Sequence, residues 1–128
     1  MLYQVFVYGT LLVGEANHHV VEPYLISCKK GHVKGRLYDV GDYPALVLDE
    51  GEDDVAGEWL IVTEEGLRQM DLLEDFLEGR PNNEYERVWV KDSRQNIEGF
   101  VYVYSLEKAQ HLPIIYSNSW REHRRNQK

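Results

Sequence analysis

The chain has 128 residues, 43% of them hydrophobic, with 14 Lys and Arg against 22 Asp and Glu for a net charge of −8. That length and composition fit one folded domain able to bury a core without staples, and the acidic balance argues against nucleic acid as a partner, since affinity for phosphate backbones comes mostly from Lys and Arg. One cysteine, Cys28, excludes an internal disulfide framework and suits a reducing, cytoplasmic setting; the first apolar run, Val5-Phe6-Val7, is too short for a leader or a membrane span.

Leu2 to Tyr8 is rich in aromatic and β-branched residues and predicts a buried first strand that stops at Gly9-Thr10. Asn17 to Val21 reads as a short helix. Gly35 to Val40 predicts a strand, Gly41 to Pro44 a turn, and Ala45 to Asp49 another short strand. The acidic stretch Glu50 to Asp54 predicts an exposed turn. Val55 to Thr63 is then a strand running into the main helix, with Thr63 as N-cap and Glu64 and Glu65 at the positive end of the helix dipole. Along that helix Leu67, Met70, Leu73 and Leu77 form one apolar stripe at about 100° per residue. A loop over Gly79 to Asn83 follows, and then two strands, Tyr85 to Lys91 and Gly99 to Tyr104, joined by a turn around Arg94 to Asn96. The basic run from Arg121 to Lys128 reads as a flexible, solvated tail. Many short strands around one helix predict a single α+β domain over residues 1–128. Its sheet should be mostly antiparallel and barrel-like, because the strand–helix alternation of a Rossmann fold is missing.

Glu74 is the residue that stands out chemically. On the helical wheel it falls between Leu67 and Met70 at the edge of the apolar stripe, while Asp71 and Asp75 point to the polar side. A carboxylate partly removed from water has its charged form disfavoured, which raises its pKa toward the range of a general base. The plain alternative is a boundary glutamate that reaches solvent or pairs with an arginine. A second element is Tyr8-Gly9-Thr10-Leu11, where a strand ends abruptly and leaves backbone N–H groups unpaired. Such a turn can nest a carboxylate, or it can be an ordinary strand end.

Other sites are set aside. The chain has no phosphate-binding Gly-x-x-x-x-Gly-Lys loop and no Gly-x-Ser-x-Gly elbow. His18, His19, His32, His111 and His123 lack zinc spacing, so no metal site is assigned. Lys29 and Lys30 could lower the pKa of Cys28, but no partner base can be assigned to it.

Tyr8-Gly9-Thr10-Leu11, Gly35-x-Leu37-Tyr38-Asp39-x-Gly41-x-Tyr43-Pro44-Ala45 and Val55-x-Gly57-Glu58-Trp59-Leu60 resemble the γ-glutamylcyclotransferase-like (AIG2-like) family. The similarity continues in Met70-Asp71-x-Leu73-Glu74, Tyr85-Glu86-Arg87 and Tyr102-Val103-Tyr104. It extends to Ser117-Asn118-Ser119-Trp120, which is similar to a Ser-Gly-x-Trp pattern of the family. The resemblance implies a compact fold on a small barrel and a cyclisation in which the α-amine of a γ-glutamyl group attacks its own side-chain carbonyl. The products are 5-oxoproline and the released amine. It implies that the loop from Tyr8 to Leu11 holds the substrate and that Glu74 is the general acid/base, with no cofactor.

Tyr85 is a candidate to orient the base or close the pocket, and Tyr43 and Tyr8 to line it, though each also suits a half-buried structural role. Arg87 reads as sitting on a solvated strand face, with pairing to a helix carboxylate as the alternative. The loops Glu50 to Asp54 and Gly79 to Glu84 are expected to form the wall that reads the leaving amine. The leading expectation is thus an enzyme acting on a small γ-glutamyl substrate, independent of membranes. The same fold as an idle carboxylate-binding or protein-interaction module is the runner-up. A hydrolase pairing Glu74 with Asp71 or Glu78 ranks below both. The oligomeric state is open.

Overall fold

The apolar run after Met1 forms strand β1 (Leu2–Val7). Val5 and Val7 pack into one layer of core and Phe6 into another, so the strand is buried on both faces at its end and reads as a continuous hydrophobic run. This arrangement is that of a computed structural model describing residues 1–51 and 53–126. The described residues add strands β2 (Leu25–Asp39), β3 (Pro44–Leu48), β4 (Asp54–Thr63), β5 (Glu86–Lys91), β6 (Glu98–Val103) and β7 (Ile114–Ile115), with helices α1 (Glu64–Leu73), α2 (Leu106–Ala109) and α3 (Trp120–Arg125). The short helix expected near Asn17 is a 3₁₀ turn over His18–Val20.

The sheet runs β3-β2-β4-β1-β6-β5, with β7 added to β2. Among the described residues only the β1–β6 pair is parallel. The sheet curls into a half-barrel, so that the backbone N–H of Tyr104, just past β6, donates to the carbonyl of Leu46 in β3 at 2.9 Å. Leu60 and Val62 of β4 face the layer of Val5 and Met70, while Val55 and Trp59 face that of Phe6, Leu37 and Trp120. The α+β class, the mostly antiparallel barrel-like sheet and the single main helix are therefore as expected.

Several local expectations are corrected. Strand β2 begins ten residues before Gly35, because Ser27 to Lys34 pair with β4. Residues Ile26 to Lys30 are exposed, so they carry no hydrophobic alternation to read. Helix α1 starts where expected, with the Gly66 N–H donating to Thr63 Oγ1 at 3.2 Å. It ends at Leu73, Glu74 is its C-cap, and Asp75 takes a left-handed φ of 54°. That turn removes Leu77 from the wheel: Leu67 and Met70 are buried, whereas Leu73 is 38% and Leu77 61% exposed.

The C-terminal segment is also different from a frayed tail. Trp120 is buried, Ser119 caps α3 by accepting the Glu122 N–H, and Arg121 pairs with the buried Glu58 at 3.2 Å. Gln127 and Lys128 lie outside the described residues, as does Glu52 in the expected acidic turn. Cys28 is exposed as a residue, yet partial burial of its thiol and then the Glu58 carboxylate push its pKa up, against the downward pull expected from Lys29 and Lys30. Among the described residues no helix is long and apolar enough to cross a membrane.

Candidate active site

Strand β1 delivers Tyr8 and the turn after it to one end of the half-barrel, and the C-cap of α1 comes to the same place. Between them lies a cavity of about 250 Å³. Every residue singled out for the site lines it: Tyr8, Gly9, Thr10, Leu11, Tyr43, Glu74 and Tyr85. Asn17, Pro44, Glu84 and Tyr102 line it too.

The turn is held by its own backbone and by Asn17. The Leu12 N–H donates to the Gly9 carbonyl at 3.1 Å, the Asn17 N–H to the Thr10 carbonyl at 2.8 Å, and Asn17 Nδ2 to Thr10 Oγ1 at 3.0 Å. Among the described residues the N–H groups of Gly9, Thr10 and Leu11 donate to no protein acceptor. Gly9 is required by space. A Cβ there would sit 2.7 Å from Pro44 Cδ and Cγ, so the close approach of Pro44 leaves room for hydrogen only.

The tyrosines are bound to the frame. Tyr8 Oη donates to the Tyr102 carbonyl at 2.6 Å and accepts the Leu46 N–H at 3.2 Å, joining β6 to β3 across the curl. Tyr85 Oη donates to the Pro44 carbonyl at 2.7 Å rather than to Glu74, so it fixes the turn that presses on Gly9 instead of orienting the carboxylate directly. Its ring centroid lies 4.7 Å from that of Tyr104 and 6.2 Å from that of Tyr43, forming an aromatic wall.

Glu74 is partly buried in this wall, and among the described residues no hydrogen-bond donor meets its carboxylate. Burial raises its pKa from 4.5 to about 7, and the nearby charge of Glu84 adds to the rise. Asp71 was expected on the polar side of the helix and Arg87 on a solvated strand face. Instead they form a partly buried ion pair at 2.6 Å, with Tyr102 Oη donating to Asp71 at 2.5 Å. The Arg87 guanidinium also stacks on Phe76 and Phe100, at 4.9 and 4.6 Å from the ring centroids. Asp71 is thereby committed, and Glu78 is exposed. Neither is the second carboxylate of the cavity.

That second carboxylate is Glu84, the last residue of the loop from Gly79 and not among the expected site residues. Its Oε2 accepts from Tyr104 Oη and lies 3.5 Å from Tyr43 Oη. Of the two loops expected to shape the wall, only the one ending at Glu84 contributes among the described residues. A run of polar residues next to Tyr85 was the one available hint. Among the described residues no three His, Cys, Asp or Glu side chains are grouped to hold a metal ion.

A curled mixed sheet with a strand-end turn and a helix-end glutamate around one small cavity defines the class. The family model described as gamma-glutamyl cyclotransferase, AIG2-like, matches residues 5–122, and the chain belongs to that enzyme family. The chain is 36% identical over 123 residues to the gamma-L-glutamyl-butirosin B gamma-glutamyl cyclotransferase of Niallia circulans, covering 93% of this chain and 76% of that protein. Among solved structures it is similar to an AIG2-like protein from Mus musculus, with a TM-score of 0.72 and 26% identity over 88% of this chain and 85% of that one. It is also similar to YkqA from Bacillus subtilis, with a TM-score of 0.73 and 25% identity. There it spans 96% of its own length but 41% of YkqA.

Proposed function

We propose that the protein cyclises a γ-glutamyl group to 5-oxoproline and releases the attached amine, with Glu74 as general acid/base. The observation that carries this reading is the pairing, in one cavity, of the unpartnered Gly9–Leu11 amides with a carboxyl group whose pKa is about 7. The amides suit the α-carboxylate of the γ-glutamyl group. The same group's α-ammonium is no nucleophile until it loses a proton, and Glu74 is the base available to take it. The freed amine then attacks the γ-carbonyl carbon and forms the ring C–N bond. As the bond to the leaving amine breaks, Glu74 returns its proton to that nitrogen, and the ring nitrogen gives up its second proton, which departs on the released amine as its ammonium, so the carboxylate is regenerated and the ring N–H of 5-oxoproline is left.

Ring closure within one molecule needs orientation more than activation, and the fixed turn and aromatic wall are suited to supply it. Cys28 as the sole cysteine is consistent with a cytoplasmic enzyme.

The test is release of 5-oxoproline from a panel of γ-glutamyl amino acids and γ-glutamylamines. Glu74→Gln keeps the side-chain shape but cannot accept the proton, and turnover should fall by about 10² to 10⁴. Glu78→Gln, on the exposed side, should be nearly silent. No 5-oxoproline from any donor, or equal effects of the two substitutions, removes the assignment and leaves a carboxylate-binding module.

A further inference from the structure

We propose that Glu84 selects donors whose leaving amine carries a further positive charge, an inference that rests on the cyclotransferase reading above. A count of charges leads there. A γ-glutamyl head group brings one carboxylate and one ammonium. The turn amides suit the first and Glu74 suits the second. Glu84 is then left over, and among the described residues no Lys or Arg lines the cavity to neutralise it.

The residue is also built as an acceptor. Tyr104 and Tyr43 hold Oε2, while Oε1 has no hydrogen-bond donor among the described residues. Lys108, a cation beside the loop, is otherwise engaged. Its ammonium donates to the backbone carbonyls of Asn83 and Glu84 at 3.2 and 2.5 Å and lies over the Tyr104 ring at 4.5 Å. Glu84 further lines a second, open depression, together with Asn82, Asn83, Glu86 and Lys108. It therefore borders both the cavity and this depression, the direction in which a leaving group would extend. Along it the carboxylates of Glu84 and Glu86 outnumber the single ammonium of Lys108, which is held by loop carbonyls, and that balance favours an ammonium over an anion.

Three donors of similar length separate the cases: the γ-glutamyl amides of 1,4-diaminobutane, pentylamine and 4-aminobutyrate, whose far ends are cationic, neutral and anionic. A charge-assisted contact of about 1.5–3 kcal/mol predicts that kcat/KM favours the diamine over pentylamine by about 10-fold or more. Glu84→Gln should bring the three donors to within a few-fold of one another. The ratio between donors isolates the contact, because any effect of Glu84 on Glu74 or on the tyrosine frame scales all three alike. A fall common to all donors with the preference intact would overturn the proposal, as would a wild type indifferent to the far-end charge.

Binding of the same amides to Glu74→Gln, measured by calorimetry, gives a readout that needs no turnover. The diamine derivative should bind most tightly there, and its advantage should vanish in Glu74→Gln/Glu84→Gln. If that order appears without 5-oxoproline release by the wild type, the cyclotransferase reading fails and the charge selection stands. If turnover occurs without the order, the reverse holds.

Discussion

Ionisation of Glu74 should cost the folded state stability, and the cost should depend on pH in a defined direction. The carboxyl group rises from 4.5 to about 7 on folding, mainly through burial and secondarily through Glu84. At about 1.4 kcal/mol for each tenfold change in proton affinity, that is at most about 3.5 kcal/mol. Below about pH 4.5 the group is protonated in both states and contributes nothing. Between about pH 4.5 and 7 the folded chain holds a proton that the unfolded chain has lost, so stability falls as pH rises. Above about pH 7 the full cost of the buried charge is present. Glu74→Gln carries no such charge, so the variant should match the wild type near pH 4.5 and exceed its stability by up to about 3.5 kcal/mol near pH 8.

Urea unfolding of both proteins across that range reads the difference, since titrating groups that do not sense Glu74 are shared and cancel, leaving Glu74 and its coupling to Glu84. The same variant should be the least active, so a gain in stability would accompany the loss of turnover. A difference that is constant with pH, or one that grows toward low pH, would show that Glu74 is not a desolvated carboxylate and would refute the reasoning.

Three further outcomes are expected. Tyr8→Phe removes the hydroxyl that accepts the buried Leu46 N–H and donates to the Tyr102 carbonyl, and chemical denaturation should show a loss of about 1–3 kcal/mol. Gly9→Ala places a methyl group against Pro44, whose carbonyl is pinned by Tyr85, so it should cost about 1–3 kcal/mol and displace the turn. An enzyme assay should show its turnover falling further than that of a surface control of equal stability. Asp71→Ala leaves the Arg87 guanidinium partly buried without its carboxylate, and melting should register about 2 kcal/mol of destabilisation. The stacking of Arg87 on Phe76 and Phe100 should keep that loss below the figure for a fully buried pair.

What the sequence determined by itself lies where the signal is local. The run through Val5, Phe6 and Val7 marks a buried strand, Thr63 before Glu64 and Glu65 marks a helix start, and Gly9 marks a turn where another group can come close. The position of Glu74 beside Leu67 and Met70 placed a carboxylate at the border of the core, even though the helix ends one residue before it. The tertiary structure alone decided the rest. Glu84 reaches the cavity only because Tyr43 and Tyr104 come from elements on either side of the curl, and Arg87 meets Asp71 only because β5 and β6 pack beside α1. The long arm of β2 exists because β4 offers it a partner along its whole length, and α3 because Arg121 finds Glu58 and Trp120 finds the core. Periodicity and turn chemistry record what each residue does with its near neighbours. Partners many residues away in the chain are chosen by sheet order and curvature, which leave no pattern in any one segment.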